Sequence, residues 1–229
     1  MIATALGSFS GTDMAATIRT VLDLLPDRAP LPELPDRGPH AQMIPRTMCL
    51  LDDLPFDLQP SGWRLCLGPS LVARRARRML ADDIDVLAEN LPNWTGTLTV
   101  TVAGPWTLGA CIDLPRGGRS IADEGARRDI AQAWTSAIAE HASHLQAIAS
   151  GPVAVQIDEP YLSAVLNGSI PDESGRHTLP RVEGHEVMAV LRAAVDASRA
   201  GGGGKAGEHT LSQPIHPPPR RGCCVTGQR

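Results

Sequence analysis

An apolar run, Val153-Ala154-Val155-Gln156-Ile157, ends abruptly in Asp158-Glu159-Pro160. Five residues rich in β-branched side chains, stopped by two carboxylates and a proline, read as a strand rather than a helix. A strand that is apolar on both faces is buried on both faces, which is the signature of a parallel sheet. Parallel strands need crossover connections, so helices must lie between this strand and its neighbours. In such folds ligands bind at the carboxyl ends of the strands. Asp158 and Glu159 stand at that end. A carboxylate there is also a common helix cap, and the residues alone leave both roles open.

The rest of the chain supplies the crossovers. Ile2–Leu6 reads as a short strand closed by Gly7-Ser8. Thr12 or Asp13 caps a helix to about Leu25 that buries Ala16, Val21, Leu24 and Leu25. Leu31–Pro35 reads as a short strand end, Ala41–Leu54 as a second helix, and Phe56–Gln59 as a third strand broken by Pro60-Ser61-Gly62. Ser70–Leu91 is the clearest helix, with Val72, Ala76, Leu80, Ile84, Leu87 and Leu91 on one face. Its arginines (Arg74, Arg75, Arg77, Arg78) and aspartates (Asp82, Asp83, Asp85) are expected on a solvated face. Leu98–Val102 alternates and ends in Gly104-Pro105. Ser120, with Asp123 three residues on, opens a helix burying Ile130, Trp134, Ile138, Leu145 and Ile148. A last helix enters from Glu183 with Val187, Leu191, Ala194 and Val195. The order is β-α five times over, which implies a parallel sheet, open or closed.

From Arg199 this patterning stops. Gly201–Gly204 is an unbroken glycine tract, followed by Pro214, Pro217, Pro218 and Pro219. Such a segment buries too little apolar surface to offset its ordering entropy. The expected organisation is therefore a globular unit over 1–198 and a disordered Gly/Pro-rich tail over 199–229.

Composition narrows the function. A formal charge of −4 gives no electrostatic case for nucleic acid or an anionic membrane. Lys205, in the glycine tract, is the chain's single lysine, so a buried Schiff-base lysine is not expected. Five irregularly placed cysteines (Cys49, Cys66, Cys111, Cys223, Cys224) do not form a disulfide framework, and no leader or membrane-length apolar run is seen; a cytoplasmic location is expected. Gly201–Gly207 fails the phosphate-loop spacing and has Ala206 where a magnesium-holding hydroxyl is needed. His141 and His144 lie one helical turn apart without the zincin glutamate between them and read as a surface or partly packed pair. Cys223 and Cys224 are adjacent and cannot alone span a structural zinc chelate.

Taken in order, Leu6-Gly7-Ser8-Phe9, Gly62-Trp63, Gly104-Pro105-Trp106-Thr107 and Gln156-Ile157-Asp158-Glu159-Pro160 resemble the catalytic barrel of the cobalamin-independent methionine synthase family. The likeness covers roughly residues 1 to 198. It implies an incomplete TIM (β/α)8-type barrel of about five βα units. It also implies methyl transfer from 5-methyltetrahydrofolate to homocysteine, with zinc holding the thiolate. By the same resemblance Leu6, Gly7 and Ser8 would hold the amino acid's carboxylate, Asp158 its ammonium group, and Glu33 would stand at the second strand's end.

The departures are specific. Ser10 replaces a proline, Cys111 replaces a tryptophan, and Gly201–Gly204 stands where the family carries a His-x-Cys zinc motif. No zinc ligand carries over, so activity of this chain is expected to be impaired. Two alternatives stay open: a non-catalytic truncated or frame-shifted barrel fragment, and a uroporphyrinogen decarboxylase-like or corrinoid methyltransferase relative. Five strands cannot close a barrel of eight, and open sheet edges imply self-association.

Overall fold

The computed structural model describes residues 2–201 and 209–212. Asp13 caps α1 (Met14–Leu24), its carboxylate accepting from Ala16 N. Strand β1 (Arg28–Pro30) leads through two 3-10 turns into α2 (Met43–Met48). A hairpin follows, β2 (Phe56–Gln59) and β3 (Gly62–Leu65), then the long α3 (Leu71–Asn90), capped by Ser70. Next come β4 (Thr97–Ala103), α4 (Pro105–Cys111), β5 (Ile112–Asp113) and α5 (Glu124–Ile148). The chain continues as β6 (Val153–Asp158), α6 (Leu162–Asn167), α7 (Gly184–Gly201) and β7 (His209–Ser212).

Among the described residues the fold is mixed α/β with two small sheets and no closed barrel. The main sheet runs β1-β4-β6-β7, every pair parallel. The second sheet, β2-β3-β5, joins an antiparallel hairpin to a short parallel neighbour. Leu98, Val100, Val102, Val153, Val155 and Ile157 belong to the main core cluster, together with apolar faces of α1, α3 and α5. A smaller core gathers Trp106, Leu162, Val165, Ile170, Val187 and Leu191 around α4, α6 and α7. No helix among the described residues is long and apolar enough to cross a membrane.

Several expected elements move. Phe56–Gln59 is not a member of the parallel sheet. Pro60-Ser61 forms a two-residue turn, with Gly62 at φ 127°, and folds the segment back on Gly62–Leu65. Phe56 then meets Trp63 edge-on at 5.7 Å, and this pair, not the sheet, buries the segment. Ile2–Leu6 forms no strand: Ile2 and Leu6 are 67% and 75% exposed, and pairing begins only at Ser8, which bridges Glu33. The second helix is cut to Met43–Met48. On α1 the buried face is Met14, Ile18, Val21 and Leu22, whereas Leu24 points out. The cap of α5 is Asp123, accepting from Ala126 N; Ser120 instead donates to Ile112 O. Two helices went unread, α4 directly after Gly104 and α6 after Tyr161. Of the segment read as a tail, residues up to Gly201 complete α7 and His209–Ser212 run beside β6; the remainder lies outside the described residues.

Candidate functional site

Backbone pairing aligns the strand ends into one rim. Leu31 N donates to Thr99 O at 2.8 Å, Glu33 N to Gly7 O at 2.8 Å, and Phe9 N to Glu33 O at 2.9 Å. Two strands across, Ala103 pairs with Asp158, and Gly104 N donates to Asp158 O at 2.8 Å. Gly7, Ser8, Glu33 and Asp158 therefore stand at the same, carboxyl, end of the sheet.

Alternation along the strands sorts them by face. Leu31 and Glu33 line the helix-covered side with Val100, Val102, Leu80 and His141. Ser8, paired with Glu33, shares that orientation but lies at the exposed edge. The register puts Thr99, Thr101, Gln156 and Asp158 on the other face, and Thr101 also borders the cavity beside Glu33. Gly7 belongs to that other face: a Cβ there would meet Thr101 Oγ1 at 3.1 Å, and its φ of 105° suits glycine. Gln156 Nε2 donates to Asp158 Oδ1 at 3.0 Å, fixing one carboxylate oxygen. The hydroxyls of Thr99 and Thr101 are buried and have no hydrogen-bond partner. Leu6 sits at the rim's edge, largely in solvent, and Asp158 and Ser8 leave the sheet on opposite faces.

Glu33 is the head of a buried charge chain. Its Oε1 lies 3.7 Å from Arg46 Nε; Arg46 Nη1 reaches Asp83 Oδ2 at 2.5 Å; Arg37 holds both Asp83 oxygens at 2.7 Å. Burial raises the Glu33 pKa to about 7, against the pull of Arg46 and with a further push from Asp158. Asp83 is 1% exposed. The expectation of a solvated aspartate face on α3 holds for Asp82 and Asp85 and fails for Asp83, which the i+3/i+4 periodicity places with Leu80 and Leu87. Beside the chain is a cavity of about 10 Å³, near the least that holds one water. His141 faces it, and burial together with Arg46 lowers its pKa to about 4, so the ring is neutral at pH 7. His144, the other half of the pair, is exposed.

Glu159 has a different task from Asp158. It is fully buried, and its carboxylate accepts from Trp106 N (3.1 Å), Thr107 N (2.8 Å) and Thr107 Oγ1 (2.6 Å). It thus caps the first turn of α4, where unpaired N–H groups favour an anion. Burial still raises its pKa to about 7, against the pull of these hydrogen bonds. Gly104 makes the arrangement possible, since a Cβ there would lie 2.5 Å from Glu159 Cγ and closer still to the carboxyl. Gly104-Pro105-Trp106-Thr107 and Asp158-Glu159 are two halves of one clamp. The division of labour between the adjacent carboxylates, and the roles of Gln156, Arg46 and Thr101, escaped the sequence reading; the spacing Gln-x-Asp, two residues apart on one strand face, was the available signal.

The described residues contain no group of three or more His, Cys, Asp or Glu side chains fit to hold a metal ion. Zinc, expected from the resemblance, therefore finds no ligand set among them, and His216, Cys223 and Cys224 lie outside the described residues. Cys49, Cys66 and Cys111 are not in disulfides. No family model matches the chain, and no curated protein and no solved structure matches it.

Proposed function

We propose that this chain binds a small α-amino acid of the homocysteine and methionine type at the carboxyl end of its parallel sheet, as one part of a methionine synthase-like half barrel. The main support is the face that carries Asp158. There an oriented carboxylate, held by Gln156, shares a strand end with two buried, unpartnered threonine hydroxyls and the Gly7 turn. A buried hydroxyl without a partner costs roughly 1–3 kcal/mol, and a polar ligand seated on this face relieves that cost. Asp158 takes the ammonium group; Thr101 and the Gly7 turn face the carboxylate end. Ser8, whose hydroxyl leaves by the opposite face, contributes through its backbone rather than its side chain. Glu33, behind the sheet beside Arg46, makes no direct contact with the ligand in this reading.

In the family that the motifs resemble, the amino acid's sulfur takes a methyl group from N5 of methyltetrahydrofolate, forming the S–CH3 bond as the N–CH3 bond breaks. The described residues supply binding and orientation for that reaction class, and no metal-dependent step is derived for them. The test is calorimetric titration of the purified chain with L-methionine and L-homocysteine. Saturable binding that weakens at least ~10-fold in Asp158→Asn and in the D-enantiomer is expected, for loss of one charge-assisted hydrogen bond. Absence of binding at millimolar L-methionine, or equal binding by Asp158→Asn, contradicts the proposal; tight binding of a porphyrin instead points to the decarboxylase-like relatives.

A further inference from the structure

The buried charge chain leaves one carboxyl group unfinished. Glu33 is 7% exposed, and its backbone N–H and carbonyl are both engaged with the Gly7–Phe9 segment. Its carboxyl makes no hydrogen bond among the described residues. The nearest cation, Arg46, holds Nε 3.7 Å from Oε1, beyond hydrogen-bond reach, and commits Nη1 to Asp83 Oδ2 instead. His141, buried on α5, is in the same position: no hydrogen bond from the described residues reaches its ring. A neutral imidazole carries one N–H and one bare nitrogen, so His141 also has an acceptor to satisfy. Buried polar groups of folded proteins are nearly all hydrogen-bonded, directly or through ordered water. Glu33, Arg46 and His141 line one cavity of about 10 Å³, with Leu31, Leu80 and Val100 in its apolar wall. That volume admits one water and nothing larger. A polar separation of more than 3.5 Å beside such a space is where a bridging water belongs.

We propose that this cavity is a binding site for a single long-lived water molecule that joins Glu33, Arg46 and His141. The water accepts from the Arg46 guanidinium and donates to a Glu33 carboxylate oxygen and to the bare nitrogen of His141. When Glu33 is protonated, its O–H donates to the water and the other two bonds persist. Three bonds are what a buried water ordinarily makes. The water ties the end of the segment after β1 to α2 and α5, and so holds the Glu33 side chain in place behind the sheet. This site does not depend on the amino-acid reading of the rim.

Diffraction and water relaxation test it on the full chain. A crystal structure sharp enough to show ordered water is expected to place one density peak within about 3.2 Å of both a Glu33 carboxyl oxygen and a His141 ring nitrogen. Water ¹⁷O relaxation dispersion counts the molecules held inside the protein. Val100→Ile, which adds a methyl group to the cavity wall, is expected to lower that count by one. Glu33→Gln, which keeps the shape and an acceptor oxygen, should leave it unchanged. The density in the unmutated protein decides the matter even if Val100→Ile folds poorly. A cavity without density, a peak that touches only one of the two side chains, or an equal water count in a folded Val100→Ile overturns the proposal.

Discussion

Glu159 and Gly104 depend on each other. The carboxylate enters the first turn of α4 only because position 104 has no side chain, and the turn's N–H groups are satisfied only because the carboxylate enters. Gly104→Ala is therefore expected to cost at least ~2 kcal/mol, by overpacking and by displacing a buried acceptor. Gly68→Ala, where an added Cβ meets nothing within 4 Å, should stay within about 0.5 kcal/mol. Urea denaturation of the two variants decides this. Glu33 yields a pH prediction. Its pKa of about 7 lies above the ordinary 4.5, so the folded protein binds a proton more readily than the unfolded chain. The associated stability is fully present below about pH 4.5 and is lost as pH rises through 7. Glu33→Gln, which cannot ionise, should match the parent near pH 4.5 and exceed its melting temperature at pH 8. A difference that is the same at both pH values would exclude a raised Glu33 pKa. His141 runs the opposite way: with its pKa lowered to about 4, it withdraws stability as pH falls from 6.5 through 4.

Helix α3 shows what an element adds to its residues. Its length and four residues of its buried face were legible in the spacing of Ala76, Leu80, Ile84 and Leu87, whereas Ala73 and Asp83 were not. Charge identity then misled, because three aspartates close together look like one wet surface. The helical period puts Asp83 inward and leaves Asp82 and Asp85 outside, and Arg37 and Arg46 come from distant turns to meet it. Removing Asp83 leaves two arginines facing a buried void, so Asp83→Ala should cost roughly 3–5 kcal/mol. Asp82→Ala, whose partner Arg78 is 4.0 Å away and exposed, should change stability by less than about 0.5 kcal/mol. Thermal melts of both variants separate these outcomes. Helices α4 and α6 were not legible because each has only six or seven residues, too few to show a period.

At the level of the whole molecule, four parallel strands lie side by side in chain order, with Gly7–Phe9 attached to the outside of β1 by a single bridge. Among the described residues no strand pairs with the outer side of Gly7–Phe9. Ile2 and Leu6 are largely exposed beside that edge. An unguarded apolar edge recruits other chains. The protein is expected to self-associate with rising concentration, and Leu6→Lys should reduce that association in sedimentation velocity. A single monomeric species across the concentration range would show that the edge is protected.

Local chemistry alone marked the strands over Leu98–Val102 and Val153–Ile157, the long helices and the Asp13 cap of α1, because periodicity and capping are written within a few residues of one another. It also marked Asp158-Glu159 and Gly104-Pro105 as meeting points. Only the tertiary structure decided that Glu159 closes a helix while Asp158 faces the strand-end rim, that Phe56–Gln59 leaves the main sheet for a hairpin, and that Asp83 is buried between two arginines. Each of those outcomes depends on partners 37 to 53 residues away or on which face a strand presents to its neighbour. Adjacent residues differ by a half-turn of the backbone, so one place in the register separates a buried helix-capping carboxylate from one at the sheet's strand-end rim.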